Sequence, residues 1–391
     1  MSVFLNKEDK IQIKLYYYFL RADGKISDTE REWLERFAHE NDIDMDDVNK
    51  LIRECENELK DIDEDDIISK MAIIARLLSK NISGINSYIG KVIWNLVDYG
   101  GCDGEFSDEE SVIIGFLTDF LGIKGDKFDK LCELHSKAQA LEESKDALKK
   151  DRSKSYDEIT VALQETDKKI AVCQNIVSGI IEKISETQVN IDDGFEFSSY
   201  YSSETEKKDK LKLFYSFIMA DGDGADSEIE KIESIASAME IHPHDIEAFL
   251  IKYGRYYDDF LRDEDYWWRS MILCARALVL FEEHSGIIND EVQSARIIWT
   301  LVSLAYADED YSTDEEIILT FCKTFLNVDN VLFSEMTDTA ETMLMLEKKK
   351  DWFKQSGLSY DEVTAQLNII NSQIESLASD IEFSVSEADI A

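Results

Sequence analysis

The chain has 391 residues, with 42 basic against 83 acidic side chains and a formal net charge of −41. So acidic a surface repels phosphate backbones and anionic lipid, which argues against nucleic acid or membrane as a partner held by charge. At 44% hydrophobic and 10% aromatic it is too apolar for a disordered tail, and a single proline with 16 glycines predicts an almost all-helical fold.

That length predicts two to three domains. Cysteines at 55, 102, 132, 173, 274 and 322 are scattered, without a CxxC pair. The spacing fits buried reduced thiols rather than a disulfide framework or a zinc site. The opening MSVFLNKEDK has neither the basic start nor the apolar run of a signal peptide, and no apolar stretch approaches a membrane span. A cytoplasmic location is expected.

Read in chain order, the first helical segment, LYYYFLRADGKISDTEREWLERFA from Leu15, returns as KLFYSFIMADGDGADSEIEKIESIA, with Asp23 on Asp221 at an offset of 198. IWNLVDYGGCDGEFSDEE returns as IWTLVSLAYADEDYSTDEE at an offset of 205, and SYDEIT from Ser155 as SYDEVT from Ser359 at 204. Three landmarks in one order make residues 8–187 and 208–385 two copies of one unit. Between its landmarks each copy carries a long apolar helix, DEDDIISKMAIIARLLSK from Asp63 and DEDYWWRSMILCARALVLFEEH from Asp263. Each copy closes with two further stretches, 125–150 with 155–185 and 329–355 with 359–385, whose sparse apolar positions predict an antiparallel hairpin. Residues 188–207, VNIDDGFEFSSYYSSETE and its flanks, lose helical period and read as a linker, and SVSEADIA as a frayed tail.

A shorter repeat lies inside each copy. Asp23, Asp103, Asp221 and Asp308 each follow a small residue, and a glutamate (Glu30, Glu110, Glu228, Glu315) stands seven positions later. Apolar residues at spacings of three on both sides make the motif helix, short acidic loop, helix. Ser27, Ser107 and Ser312, three before the glutamate, complete an S-x-x-E capping box. In the third loop Ala225 breaks the box, with Asp226 beside it as a substitute cap. Gly24, Gly104 and Gly222 occupy the left-handed position that ends the incoming helix, and Glu309 replaces that glycine in the fourth loop.

Two helix–DGx[IF]S-x-x-E–helix segments about 80 residues apart, ADGKISDTE at 22–30 and CDGEFSDEE at 102–110, resemble the TerB-like tellurite-resistance domain family. The second copy resembles it through ADGDGADSE at 220–228 and, more loosely, ADEDYSTDE at 307–315. The resemblance covers 8–130 and 208–330. It implies an all-helical bundle, a bacterial or phage-linked stress context, an acidic surface cluster associated with divalent cations, and no known catalytic reaction. The expected fold is therefore all-α: two tandem TerB-like bundles (8–135 and 208–335), each followed by a helical hairpin (136–187 and 336–385), with the linker between.

Capping accounts for the serines and the glutamates but not for the aspartate at a helix C-terminus, where the macrodipole disfavours a carboxylate. Carboxylates beside unpaired carbonyls are the hard-oxygen setting of Ca²⁺ or Mg²⁺, although the spacing is not that of an EF-hand. Candidate ligands are, in order, Asp221, Asp223, Asp226 and Glu228 of the third loop, where no serine engages Glu228; Asp103, Glu105 and Glu110 of the second; and Asp308, Asp310 and Glu315 of the fourth. The first loop ranks last because Lys25 would bring an ammonium into the shell. His242 and His244 flank Pro243 at a helix start and read as first-turn residues rather than zinc ligands. Tyr16–Tyr18 and Tyr266–Trp268 read as packing aromatics, some of them partly exposed. Nucleophile elbows, phosphate loops and HExxH are absent, so no enzyme is expected. Two functions remain in competition. One is a stress or defence protein whose acidic loops bind divalent cations and which recruits a protein partner; the other is an interaction scaffold without a metal site.

Overall fold

The computed structural model describes residues 6–24, 26–80, 82–101, 107–151, 153–186, 191, 205–222, 224–307 and 311–387. They fall into two compact units, Met1–Ile191 and Asp192–Ala391. The expected linker 188–207 lies largely outside the described residues, as does the end of the tail. Among those described, all regular structure is helical.

Unit 1 runs α1 (Lys7–Leu20), α2 (Asp28–Glu40), α3 (Met45–Leu59), α4 (Ile67–Ser79), a 3₁₀ segment (Ile82–Ser87), α5 (Ile89–Gly100), α6 (Asp108–Leu121), α7 (Gly125–Lys150) and α8 (Tyr156–Glu186). Unit 2 repeats that order element for element: α9 (Thr205–Ile218), α10 (Asp226–Ala238), α11 (Pro243–Asp259), α12 (Tyr266–Ser285), a 3₁₀ segment (Ile287–Asn289), α13 (Glu291–Ala305), α14 (Thr313–Leu326), α15 (Asn330–Gln355) and α16 (Tyr360–Glu387). The duplication read from three landmarks therefore extends to every helix.

Each unit is organised around its first helix. α1 packs against α2 through α6, and α9 against α10, α12, α13 and α14. A helix surrounded on all sides buries side chains on every face, and the second half of α1 does so: Tyr16, Tyr17 and Tyr18 are all buried. The expected partial exposure of consecutive aromatics fails here because α1 is the core of the bundle and has no outer face. It holds at α12, where Tyr266 is exposed and Trp267 and Trp268 are half-buried.

Helix ends follow the residues that cap them. Asp44 and His242, at matching positions, accept the backbone N–H of Asp46 and His244 at 2.9 and 3.2 Å, and Pro243 takes the first helical position as expected. Gly122 (φ +68°) and Asn327 (φ +56°) end α6 and α14 in the left-handed conformation, which these two residue types tolerate best.

The hairpins are antiparallel pairs, α7 on α8 and α15 on α16. Their roots belong to the bundles: Leu131 of α7 and Met336 of α15 are fully buried, so the predicted boundary at 135/136 falls inside a continuous helix. Gly90 lets α8 lie close on α5, because a Cβ there would overlap the Ile181 carbonyl oxygen.

Candidate functional site

Four acidic joints, between α1 and α2, α5 and α6, α9 and α10, and α13 and α14, carry the residues singled out by sequence. At the first, Glu30 accepts the Ser27 backbone N–H while Ser27 Oγ accepts the Glu30 N–H at 3.2 Å. The second and fourth repeat this at 2.8 and 3.1 Å, through Ser107 with Glu110 and Ser312 with Glu315. At the third, where alanine replaces the serine, Glu228 still accepts the Ala225 N–H at 2.9 Å. The expectation that Glu228 is the glutamate most free to act as a ligand is thus not met. Glu30, Glu110, Glu228 and Glu315 are 8%, 8%, 3% and 4% exposed, all four turned inward as caps. A buried carboxylate holding an orphan N–H is occupied by the fold itself.

The carbonyl oxygens at the first joint are occupied too. Lys70, buried on α4, donates its ammonium to the carbonyls of Ala22 (2.9 Å) and Glu64, and Arg21 donates to Gly24 O at 2.9 Å. Burial pulls the Lys70 pKa down, with Arg21 adding to the effect. At the third joint Met219 O accepts from Tyr257 Oη at 2.8 Å, and Arg269 serves the Glu264 carbonyl at 3.4 Å much as Lys70 serves Glu64. Gly24 and Gly222 adopt φ of +80° and +84°, the left-handed turn expected of them. Asp23 and Asp221 are exposed beside these glycines, and Asp226 is exposed at the first position of α10. Asp103, Gly104 and Glu105, Asp223, and Asp308 and Asp310 lie outside the described residues, as does Lys25. Among the described residues no group of three or more His, Cys, Asp or Glu side chains is placed to hold a metal ion.

A second constellation, which no sequence motif announces, lies in unit 1 where α2, α5, α7 and α8 meet. A cavity of about 580 Å³ is walled by Arg36, Trp94, Asp98 and His135, with Ile170 and Val177 closing it from α8. Asp98 is the hub. Trp33 Nε1–H donates to its Oδ2 at 3.0 Å, Arg36 stands 3.8 Å from the same oxygen, and His135 Nε2 is 3.5 Å from Oδ1. Burial alone would raise the Asp98 carboxyl, but His135 and Trp33 outweigh it and hold the group below the ordinary aspartate range. The His135 ring lies against Gly101, where a Cβ would overlap it, and edge-on to Trp94 at 6.0 Å. Unit 2 keeps the tryptophan, with Trp299 matching Trp94, but not the groups around it: Lys231 replaces Trp33, Ser234 replaces Arg36, Ser303 replaces Asp98, and Tyr306 and Ala340 replace Gly101 and His135. Lys231 instead donates to the Ser303 carbonyl. Asking where two aligned copies exchange charge and size would have located this cluster from sequence; searching for motifs common to both copies could not.

Residues 13–133 match the family model described as tellurite resistance protein TerB. That span runs from α1 into the root of α7 and includes both acidic joints of unit 1. The similarity is confined to residues 13–133 and does not extend to unit 2. No curated protein and no solved structure matches the chain. Among the described residues no helix is long and apolar enough to cross a membrane.

Proposed function

We propose that the protein is a non-enzymatic cytoplasmic scaffold of a stress or defence response, and that it recruits a protein partner through the outer faces of its two hairpins. The observation carrying this reading is where apolar surface is left uncovered. Of fourteen exposed large hydrophobic side chains among the described residues, eleven belong to the hairpins, including Tyr156, Val172 and Ile176 in the first and Trp352, Tyr360 and Phe383 in the second. Aromatic side chains left in water at matching positions, Tyr156 at 82% and Tyr360 at 83% exposed, are characteristic anchors of protein interfaces. The stress context rests on the TerB match at 13–133.

In this proposal the acidic joints are capped hinges of the bundle rather than cation sites. Support comes from the four buried glutamates, each committed to a backbone N–H or a full capping box. The test compares the full chain with a Trp352→Ala, Tyr360→Ala variant in co-purification from the native cells. One defined partner is expected with the parent and absent from the variant, at an unchanged melting temperature. Equal recovery by both would overturn hairpin docking.

A further inference from the structure

The unit 1 cavity has the makings of a small-molecule site, and its chemistry selects the ligand. At about 580 Å³ it falls within the range of pockets that enclose small organic molecules. Trp94, Leu134, Ile170 and Val177 supply an apolar wall, while Asp98, Gln139 and Glu142 supply acceptors. A structural role explains part of Asp98, since one oxygen takes the Trp33 indole N–H at good geometry. It does not explain the rest. A carboxylate accepts about four hydrogen bonds, yet the other two neighbours of Asp98, at 3.5 and 3.8 Å, are beyond strong hydrogen-bond length. Arg36 is mostly in solvent, with 59% of its side chain exposed, and can swing away from Asp98.

The sign of the ligand follows from which charges at the cavity are already matched. Glu142 is paired with Lys145 at 3.0 Å, whereas Arg36, 59% exposed, stands 3.8 Å from Asp98. Asp98 is therefore the charge with acceptor capacity to spare for a cation, and the net −41 adds a long-range attraction of the same sign that salt screens. An aromatic wall adds attraction for a desolvated cation.

We propose that this cavity binds a small amphipathic organic cation, a protonated amine whose ammonium meets Asp98 and whose aromatic or branched-alkyl body lies on Trp94, Ile170 and Val177. The site is peculiar to unit 1, because unit 2 has Ser303 in place of Asp98 and Tyr306 in place of Gly101. It is separate from the hairpin faces assigned to a protein partner.

The experiment is calorimetric titration of the full chain with phenethylamine and with its matched anion 3-phenylpropionate, at about 0.3 M salt to screen diffuse attraction. Saturable one-to-one binding of the amine is expected, with the anion at least about tenfold weaker. Asp98→Asn should weaken the amine by about ten- to a hundredfold, the loss of a charge-assisted hydrogen bond. Ser178→Trp, on the exposed rim of α8, should block entry without touching Asp98. This second variant carries the test if Asp98→Asn does not fold. No saturable amine heat up to about 10 mM, equal binding of amine and anion, or full binding retained in folded Ser178→Trp would each overturn the proposal.

Discussion

Unit 1 and unit 2 share eight helices in one order, yet matching positions hold side chains of exchanged size. Tyr18 faces Cys55 in unit 1; at the same places unit 2 has Ser216 and Tyr253, whose hydroxyls meet at 3.0 Å. Gly101 with His135 becomes Tyr306 with Ala340. In both cases bulk crosses from one helix to its neighbour, which keeps the packed volume while replacing the polar groups. The backbone arrangement is therefore set by the apolar pattern and the caps, which the copies share. Local chemistry is set by a few pairs in which they differ. Unit 1 has a half-buried aspartate with a tryptophan and a histidine beside a cavity, where unit 2 has Ser303, Lys231 and Ala340.

The largest effect should come from breaking one exchanged pair. Tyr18 is buried and donates to Glu58 at 2.9 Å, so Tyr18→Ser should cost about 3–5 kcal/mol, comparable to emptying an aromatic site. Adding Cys55→Tyr, which recreates the pairing of unit 2, should recover part of the loss, with a coupling of about 1–3 kcal/mol in a urea-denaturation double-mutant cycle. Strict additivity would show that the two positions do not compensate for one another.

The joints offer a smaller test. Ser107→Ala removes an N-cap and should cost about 0.5–2 kcal/mol, whereas Ala225→Ser, which completes the missing box at the third joint, should gain up to about 1 kcal/mol. The urea midpoints should move in opposite directions. If Ala225→Ser leaves the midpoint unchanged, the third joint does not share the geometry of the second.

The two units also hold aspartates of opposite character, half-buried Asp98 and fully buried Asp209. Asp98, with its pKa held down by His135 and Trp33 against the effect of burial, contributes stability that is present at neutral pH and lost as pH falls through its folded-state pKa. Asp209, fully buried, is pushed up by burial despite His284 at 2.7 Å, so its ionisation on the way to neutral pH costs stability. Relative to the parent, Asp98→Asn should be most damaging near neutral pH and less so well below the ordinary aspartate pKa of about 4. Asp209→Asn should show the reverse trend. Parallel pH profiles for the two variants would remove the distinction.

Much of this architecture is legible in the amino-acid sequence. Landmarks, capping boxes and the single proline locate the joints and hairpins, because these depend on local spacing and on what a helix end requires. SYDE at both hairpins contains more than a landmark: Ser155 with Glu158 and Ser359 with Glu362 form two further capping boxes. Burial of Tyr16–Tyr18 is not legible, since a surrounded helix differs from an amphipathic one only through its neighbours. The Asp98 cluster is hidden for a related reason. Trp33, Asp98 and His135 are far apart in sequence, on α2, α5 and α7, and none belongs to a motif. Nor can spacing alone show that Lys70, 48 residues from Ala22, caps the first joint with an ammonium.

The smallest expected effect is the response of the joints to divalent cations. A bound ion at one hundred times its dissociation constant adds about 2.7 kcal/mol, which for a unit of this size raises the melting temperature by roughly 5–10 °C. The caps argue for far less. Glu110, Glu228 and Glu315 would each have to abandon a backbone N–H at 2.8–2.9 Å to turn towards an ion, leaving a buried donor unpaired at a cost of about 1–3 kcal/mol. Millimolar Ca²⁺ or Mg²⁺, against EDTA and at salt that screens the −41 surface, should therefore move the melting temperature by less than about 1 °C. An Asp221→Asn, Asp223→Asn variant should behave as the parent does. A rise of several degrees that this variant abolishes would make the third joint a cation site. It would also mean that Asp221 and Asp223 recruit enough further oxygen to do without the capped glutamate.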